Sequence, residues 1–156
     1  RQMCIRDRDE DGEIRSHTKE ELNAQYRSIP DLAHNFVLQA VFEAQPAPAE
    51  EMERLLAAAR AKRKLSQPVG ASAGCIFKNP EEIPAGRLID ELGLKNACVG
   101  DACVSDVHAN FIINRGHARA RDITILIDMI RKEAMENRGI DLKSEAQVIG
   151  DREPQF

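Results

Sequence analysis

The stretch that decides the fold class lies at residues 122–139 and reads DITILIDMIRKEAMENRG. Its apolar side chains recur at helical spacing: Ile123, Leu126, Ile127, Ile130 and Ala134. This period predicts one long amphipathic helix that turns these side chains inward, headed by Asp122 and ended by Gly139. Strand-like runs lie on both sides of it: 97–104, 110–114 and 146–149. The order of elements predicts an α+β domain, with a small sheet packed with two or three helices.

Two further helices are predicted earlier in the chain. From residue 50 onward, apolar residues fall at positions i, i+3, i+4 and i+7: Met52, Leu55, Leu56 and Ala59. This helix ends in a basic run: Arg60, Lys62, Arg63 and Lys64. The second helix opens at Pro84, in its first turn, and Gly93 suits its C-terminal cap. Between the two helices, residues 75–77 predict a short strand.

The first 45 residues carry weaker signals. Residues 36–43, FVLQAVFE, predict a buried strand because of their length and their β-branched and aromatic content. The Asp-Gly pair at 11–12 predicts a hairpin turn. The alternative, a calcium loop that starts at Asp9, lacks the glycine needed at its sixth position. Thr18 followed by Glu21 predicts a capped short helix.

These signals divide the chain into three parts. Residues 1–8 carry four charges without periodicity, and we expect them to be a non-native scar. Residues 45–49, which are rich in Pro and Ala, break the pattern and indicate a domain boundary. Residues 9–45 are therefore expected to be the end of one domain, and residues 46–156 to be a second domain.

The composition disfavours several classes of protein. The 22 basic and 26 acidic side chains give a net charge of −4, which disfavours nucleic-acid binding, and no apolar run is long enough to predict a membrane span. The four cysteines, at positions 4, 75, 98 and 103, form no tight pattern, which disfavours a disulfide scaffold and suits a reducing cytosol. Cys98 and Cys103 also match no zinc spacing, so we expect no metal site.

The stretch GCIFKNP at 74–80 is the strongest candidate for chemistry. Gly74 lets a ligand approach the backbone, Lys78 offers a positive charge to a phosphate, and Asn79 offers both a donor and an acceptor. The alternative is a buried cysteine followed by a Lys-Asn-Pro turn. The basic run at 60–64 is open to two interpretations, a solvated helix face or a clamp for a diphosphate.

Five motifs follow one another in order: GCIFKNP at 74–80, AGRLID at 85–90, VS at 104–105, HANFIIN at 108–114 and SEAQVIG at 144–150. Together they resemble the C-terminal part of UDP-N-acetylenolpyruvoylglucosamine reductase, a flavoenzyme that makes UDP-N-acetylmuramate for peptidoglycan. YRS at 26–28 and AVF at 40–42 resemble the end of its flavin domain, so the resemblance extends over residues 9–150. Only four residues separate Pro80 from Ala85, as in the short form of that enzyme.

The resemblance implies a reaction and its residues. Reduced NADPH gives hydride to FAD, the flavin gives hydride to the enolpyruvyl double bond of the UDP-sugar, and a side chain protonates the adjacent carbon. The resemblance assigns that proton donor to Cys75, where the family usually has serine, the catalytic glutamate to Glu145, and an active-site arginine to Arg27. Substrate contacts are implied at further positions: Tyr26, Arg63, Lys64, Lys78, Asn79 and His108. A cytoplasmic location is implied, with neither a nucleic acid nor a membrane as partner.

Two departures and two alternatives belong to this interpretation. A thiol at Cys75 ionises more readily than the usual hydroxyl, and Gln147 stands where the family often has arginine. Residues 9–45 resemble only a remnant of the FAD-binding domain, so we expect weak or no flavin binding, no turnover by this chain alone, and exposed apolar surface at 36–42. The alternatives are a stand-alone nucleotide-sugar binding module without redox activity and an α+β domain that binds a protein partner.

Overall fold

The computed structural model describes residues 2–149, and the side chains of Gln2 and Met3 are not included in that description. The chain divides into two compact units, the first ending at Glu53 and the second beginning at Arg54. Each unit is described by itself below. No helix within residues 2–149 is long and apolar enough to cross a membrane.

The first unit is built on a three-stranded antiparallel sheet in the order β2-β1-β3. Its strands are β1 (Gln2–Arg8), β2 (Ile14–Thr18) and β3 (Phe36–Phe42). The hairpin turn predicted at 11–12 is confirmed: Gly12 has φ +89°, and its N–H donates to the carbonyl of Asp9 at 3.1 Å. The sequence pattern did not predict β1, which is the central strand although residues 1–8 lack periodicity. Their foreign origin stays a prediction.

One face of this sheet carries a small core and β3 remains open to solvent. Ile5, Leu22 and Leu32 are buried, whereas every residue of β3 is exposed. The strand predicted at 36–43 is thus confirmed, and the burial predicted for it is wrong in this chain. The predicted exposure of apolar surface is confirmed, since Phe36 is 70% and Phe42 is 66% exposed.

Thr18 and Glu21 form the reciprocal bonds of a capping box without a helix behind it. The Thr18 N–H donates to the Glu21 carboxylate at 2.7 Å, and the Glu21 N–H reaches Thr18 Oγ1 at 3.4 Å. Residues 19–21 form a turn, and the first helical turn of the unit is a short 3₁₀ segment at Pro30–Leu32. The helix prediction was wrong because a cap cannot offset the nucleation of a helix that has so few residues to extend it.

The second unit carries a four-stranded antiparallel sheet in the order β4-β7-β6-β5. The strands are β4 (Ala71–Cys75), β5 (Cys98–Val99), β6 (Ala102–Val104) and β7 (Phe111–Asn114). Three helices accompany the sheet: α1 (Ala49–Ser66), which begins before the division, α2 (Ala85–Glu91) and α3 (Ala120–Arg138). The predicted α+β class and its small sheet with helices are confirmed.

The helices α2 and α3 supply much of the core. Leu88 and Ile89 of α2 are fully buried, and on α3 the predicted inward residues Leu126, Ile127, Ile130 and Ala134 are buried as well. Each such Leu or Ile contributes about 1.5–3 kcal/mol through burial. Gly139 ends α3 with φ +66°, as predicted. By contrast α1 buries none of its side chains.

Three predictions for this unit need correction. The strand at 75–77 is instead β4, which ends at Cys75. Residues 146–149 form no strand. Ala146 packs against the core, but Val148 and Ile149 are exposed and contribute little burial to hold a strand. The last pairing among the described residues is the isolated bridge between Phe77 and Ser144. The run 97–104 folds back on itself as the hairpin β5–β6, because Gly100 takes φ +54° in its turn.

A disulfide joins Cys98 to Cys103 across the β5–β6 hairpin. The two residues are direct partners in the antiparallel register, which brings their side chains together. The sequence analysis did not predict this disulfide. Two cysteines five residues apart come close to each other only once the hairpin has formed.

Candidate functional site

The segment that follows β4 lies between two neighbours. On one side the Ile76 N–H donates to the carbonyl of Asn110 at 2.9 Å. On the other side the Lys78 N–H donates to the carbonyl of Lys143 at 2.9 Å, and the Glu145 N–H donates to the carbonyl of Ile76 at 2.7 Å. Residues 76–78 are therefore held from both sides, although β4 has already ended.

A bulge sets the conformation of the chain just before Cys75. The register of β4 against β7 pairs Ser72 with Ile113 and Cys75 with Phe111, so β4 has one residue more than its partner between these pairs. Gly74 takes φ +80° there, and a Cβ on it would meet no atom within 4 Å. The glycine is thus needed for its backbone angle, and Cys75 is left half-buried.

The structure brings Glu145 close to Cys75. The hydrogen bond from the Glu145 N–H to Ile76 joins its backbone to the residue that follows Cys75. Glu145 is half-buried, and its Oε2 atom is fully buried. The two residues to which the resemblance assigns the chemistry therefore lie on adjacent backbone segments that are far apart in sequence.

Asn110 holds these segments in register, and the sequence analysis assigned it no role. Its side-chain Oδ1 accepts the Phe77 N–H at 2.9 Å, and its Nδ2 donates to the Phe77 carbonyl at 2.8 Å. The residue is 2% exposed, so these bonds form away from water. The only available signal was a polar residue inside the apolar run 109–113, since buried polar groups require partners.

Asn79 is placed at the start of α2. Its Oδ1 accepts the backbone N–H of Ala85 at 3.0 Å, so the side chain caps this helix and fixes the turn between β4 and α2. Asn79 is exposed and Lys78 is half-buried. Both residues follow Cys75 in the segment that leads from β4 to α2, and their contact with a substrate stays a prediction.

His108 lies on the loop between β6 and β7 and is anchored at several atoms. Its backbone N–H donates to Ser105 Oγ at 3.2 Å, and its ring Nδ1 accepts the Asn110 N–H at 3.2 Å. The Phe111 ring stands edge-on to it, with centroids 5.0 Å apart. Because Asn110 also holds Phe77, the His108 loop and the Cys75 segment share one anchor.

The remaining predicted residues lie on other elements. Arg63 and Lys64 are exposed on the last turn of α1, where the Arg63 Nε lies 3.4 Å from Gln67 Oε1. Tyr26 and Arg27 belong to the first unit, and the Arg27 guanidinium lies 5.9 Å from the centroid of the Tyr26 ring. That contact is a cation–π interaction. Arg27 also has φ +52°.

Gly86 is a second residue that the sequence analysis did not assign. It stands in α2 beneath the His108 ring, in the motif AGRLID. No local signal marks it, because glycine in a short helix is most simply interpreted as a weak helix former. Its partner lies 22 residues further along the chain.

Comparison with known proteins gives consistent results. The family model described as UDP-N-acetylenolpyruvoylglucosamine reductase, C-terminal domain, matches residues 64–149. The reductase of that name from Agathobacter rectalis is 39% identical over 144 residues, which cover 90% of this chain and 46% of the relative. The one from Syntrophobacter fumaroxidans is 42% identical over 132 residues, which cover 84% of this chain and 38% of the relative.

A solved structure supports the same relationship. The crystal structure of UDP-N-acetylenolpyruvylglucosamine reductase from Thermus caldophilus superposes with a TM-score of 0.77 at 37% identity, covering 94% of this chain and 52% of that one. The chain spans about half the length of the curated relatives it matches.

Proposed function

This chain belongs to the family of the UDP-N-acetylenolpyruvoylglucosamine reductase C-terminal domain, and from that premise we propose that it is the substrate-binding and proton-donating part of such a reductase. The complete protein would reduce the enolpyruvyl group of UDP-N-acetylglucosamine enolpyruvate to give UDP-N-acetylmuramate for peptidoglycan. A cytoplasmic location is part of the same proposal. The observation that carries it is the pairing of residues 76–78 with 143–145, which sets the backbone of Glu145 against Ile76, the residue that follows Cys75.

The role proposed for Cys75 follows from its chemistry and position. The reduction adds a hydride and a proton across a carbon–carbon double bond, and enolate-like charge develops before the proton arrives. A thiol held at the end of β4 can supply that proton, and its half-buried position keeps the resulting thiolate accessible to water for reprotonation. General acids act in this way when they are fixed beside the reacting atom.

Glu145 is proposed to act in its protonated form. A carboxylate beside developing negative charge would repel it, whereas a carboxylic acid donates a hydrogen bond to it. The buried Oε2 excludes water from one side of the group, which favours such a role. Lys78, Asn79 and His108 lie on the segments tied to Asn110 and are proposed to contact the UDP-sugar, with Lys78 as the positive charge for a phosphate oxygen.

Tyr26, Arg27, Arg63 and Lys64 complete the proposed set. Their family positions assign Arg27 to the substrate carboxylate and the basic end of α1 to the diphosphate. Each is exposed, as a group that meets a ligand at a surface must be. Their contribution is to orient the substrate, since a diphosphate offers several acceptor oxygens to guanidinium and ammonium donors.

The family implies FAD and NADPH, but the residues of this chain do not fit a flavin site. The sequence contains no glycine-rich phosphate loop before a helix. A shallow cleft on the sheet of the first unit, lined by residues such as Arg6, Ile14 and Gln39, offers no cradle for a dinucleotide. We therefore assign no step of the reaction to FAD in this chain, and propose that any flavin site belongs to the portion of the longer relatives that it does not span.

The experiment that tests the proposal uses a complete reductase that carries this chain. A Cys75→Ala variant is expected to retain flavin reduction by NADPH and to lose flavin reoxidation by the substrate, measured by stopped-flow absorbance. Cys75→Ser, which restores a hydroxyl donor, is expected to recover reoxidation, and Cys4→Ser is the matched control at the other thiol outside the disulfide. Unchanged reoxidation in Cys75→Ala would remove Cys75 from the mechanism. Binding of the UDP-sugar that depends on Lys78 but not on Cys75 or Glu145 would favour a binding module instead.

A further inference from the structure

Gly86 differs in kind from most glycines of this chain. Seven glycines among residues 2–149 have a positive φ, a conformation for which glycine is the favoured residue. Gly86 is not among them, and it lies inside α2. A Cβ built on it would stand 2.7 Å from Cε1 and 3.1 Å from Nδ1 of His108. Real Cβ atoms do not approach another heavy atom to 2.7 Å, so a side chain here would force the His108 ring to shift, and Gly86 keeps that space open for the ring.

The same ring has its proton fixed on one nitrogen. Nδ1 of His108 accepts the backbone N–H of Asn110 at 3.2 Å, and a ring nitrogen that accepts a hydrogen bond carries no proton. The neutral imidazole therefore carries its proton on Nε2. The side chain is half-buried, so it offers one hydrogen-bond donor from a ring whose other nitrogen is already used.

Three contacts together hold this ring in one orientation. The backbone of Gly86 lies below it, the Phe111 ring stands edge-on at a 66° angle, and the Asn110 N–H fixes Nδ1. Asn110 also holds Phe77 through its side chain. The orientation of His108 is thereby linked to the segment that carries Cys75, without a direct bond between the two residues.

We infer that Gly86 is a positioning residue that seats the His108 imidazole, so that its Nε2–H donates to an acceptor oxygen of the nucleotide sugar. The identity of the ligand rests on the proposed function, whereas the positioning of the His108 ring by Gly86 rests on the structure alone. Adding one methyl group at Gly86 would displace the ring and break its hydrogen bond with the Asn110 N–H. The ring proton would then no longer be confined to Nε2.

The first experiment reads the ring directly in the 156-residue chain. Long-range ¹H–¹⁵N NMR distinguishes the two neutral tautomers of His108, and we expect the Nε2–H form in the unaltered protein. In Gly86→Ala we expect loss of that single form and faster hydrogen exchange at the Asn110 amide. An Nδ1–H ring in the unaltered protein, or a Gly86→Ala spectrum identical to it, overturns the inference.

A double-mutant cycle separates positioning from a general effect on the helix. Alanine is a better helix former than glycine, so in a His108→Ala background, where the ring is absent, Gly86→Ala is expected to leave the Tm unchanged or to raise it. In the unaltered background the same change is expected to lower the Tm by about 4 °C or more. Equal shifts in the two backgrounds would refute the contact between Gly86 and His108.

The ligand part of the inference is tested with UDP-N-acetylglucosamine by calorimetry. Gly86→Ala and His108→Ala are each expected to weaken binding about tenfold, and the double variant no further, because both remove the same donor. Arg87→Gln, an exposed neighbour in α2, is the control with unchanged affinity. If the two variants bind as well as the unaltered chain, the donor role is refuted. If the unaltered chain does not bind this probe, the binding part of the proposed function fails, while the NMR result still decides the role of Gly86.

Discussion

The sharpest test of the site is the substitution Asn110→Asp, which keeps the shape of the side chain and removes one donor. In the unaltered protein Nδ2 donates to the Phe77 carbonyl at 2.8 Å, and the residue is 2% exposed. An aspartate would point a carboxylate oxygen at that carbonyl. The buried carbonyl loses its partner, which costs about 1–3 kcal/mol, and repulsion between the two oxygens adds to this. We expect the free energy of unfolding at pH 7 to fall by at least about 2 kcal/mol.

The destabilisation by Asn110→Asp should depend on pH. Once protonated, the carboxyl introduced by Asn110→Asp regains a donor toward Phe77, so the fold favours its acid form and raises its pKa above the unfolded value of about 3.9. A group whose folded pKa is raised contributes its stability below the unfolded pKa and loses it as pH rises through the folded pKa. The difference from the unaltered protein should therefore be smaller at pH 4 than at pH 7.

The assay is urea unfolding followed by circular dichroism at both pH values, with Asn96→Asp as the matched control. Asn96 is exposed in the same unit, and its Oδ1 accepts a hydrogen bond from Arg115 that an aspartate retains. We expect the control to change the stability by no more than about 0.5 kcal/mol. A loss in Asn110→Asp that is equally small, or one that does not depend on pH, would refute the clamp on Phe77.

Three further predictions concern other parts of the molecule. Reducing the Cys98–Cys103 disulfide, or replacing Cys98 with serine, should lower the free energy of unfolding by about 2 kcal/mol, a modest effect because the loop that the bond closes is short. Urea unfolding with and without a reductant measures this change, and equal midpoints would contradict it. A hydrogen bond from Arg87 lowers the pKa of the exposed Glu91 carboxyl below its ordinary 4.5, so this pair stabilises the fold above about pH 4.5 and the contribution disappears as pH falls through the lowered pKa. NMR titration of Arg87→Gln should raise the Glu91 midpoint toward its ordinary value, with Arg138 remaining as the second partner of this carboxylate, and an unmoved midpoint would refute the assignment. Phe42→Ser, on the exposed strand β3, should reduce self-association in light scattering, since an open edge with apolar side chains promotes pairing with a second copy; unchanged scattering would mean that this surface is not the cause.

Local signals predicted the helices of the second unit well. The apolar period of α3 and its terminal glycine, together with Pro84 and Gly93 around α2, are short-range features, and the structure follows them. The same kind of signal failed for 146–149, where an apolar run does not reveal whether any partner covers it. It also failed for β1, where, within residues 4–8, Ile5 and Asp7 are buried next to the exposed Arg6 and Arg8.

The motifs of the candidate site could be predicted from the sequence, but the contacts between them in space could not. The order of the motifs singled out Cys75 and Glu145 as candidates, and the structure places their backbone segments side by side. The clamp formed by Asn110 depends on a partner 33 residues away, and the fit between Gly86 and His108 depends on the packing of α2 against a loop. Neither relationship leaves a pattern within a short window of sequence.

The origin of residues 1–8 is a separate prediction. They are expected to be absent from the protein in its natural source, because they carry four charges without periodicity. Intact mass and N-terminal sequencing of the natural protein measure this, and a native protein that contains them would overturn the expectation.

The pairing of residues 76–78 with 143–145 also sets the order in which the site can form. The contacts join positions up to 69 residues apart, Ile76 and Glu145, and closing such a loop is entropically unfavourable until the intervening elements have folded. During synthesis the Cys75 segment leaves the ribosome long before Glu145 does, and it can pair with β7 while its other side is still unpaired. Both candidate positions therefore come together only late in the synthesis of this unit, and a chain that stops before residue 143 would carry Cys75 without Glu145.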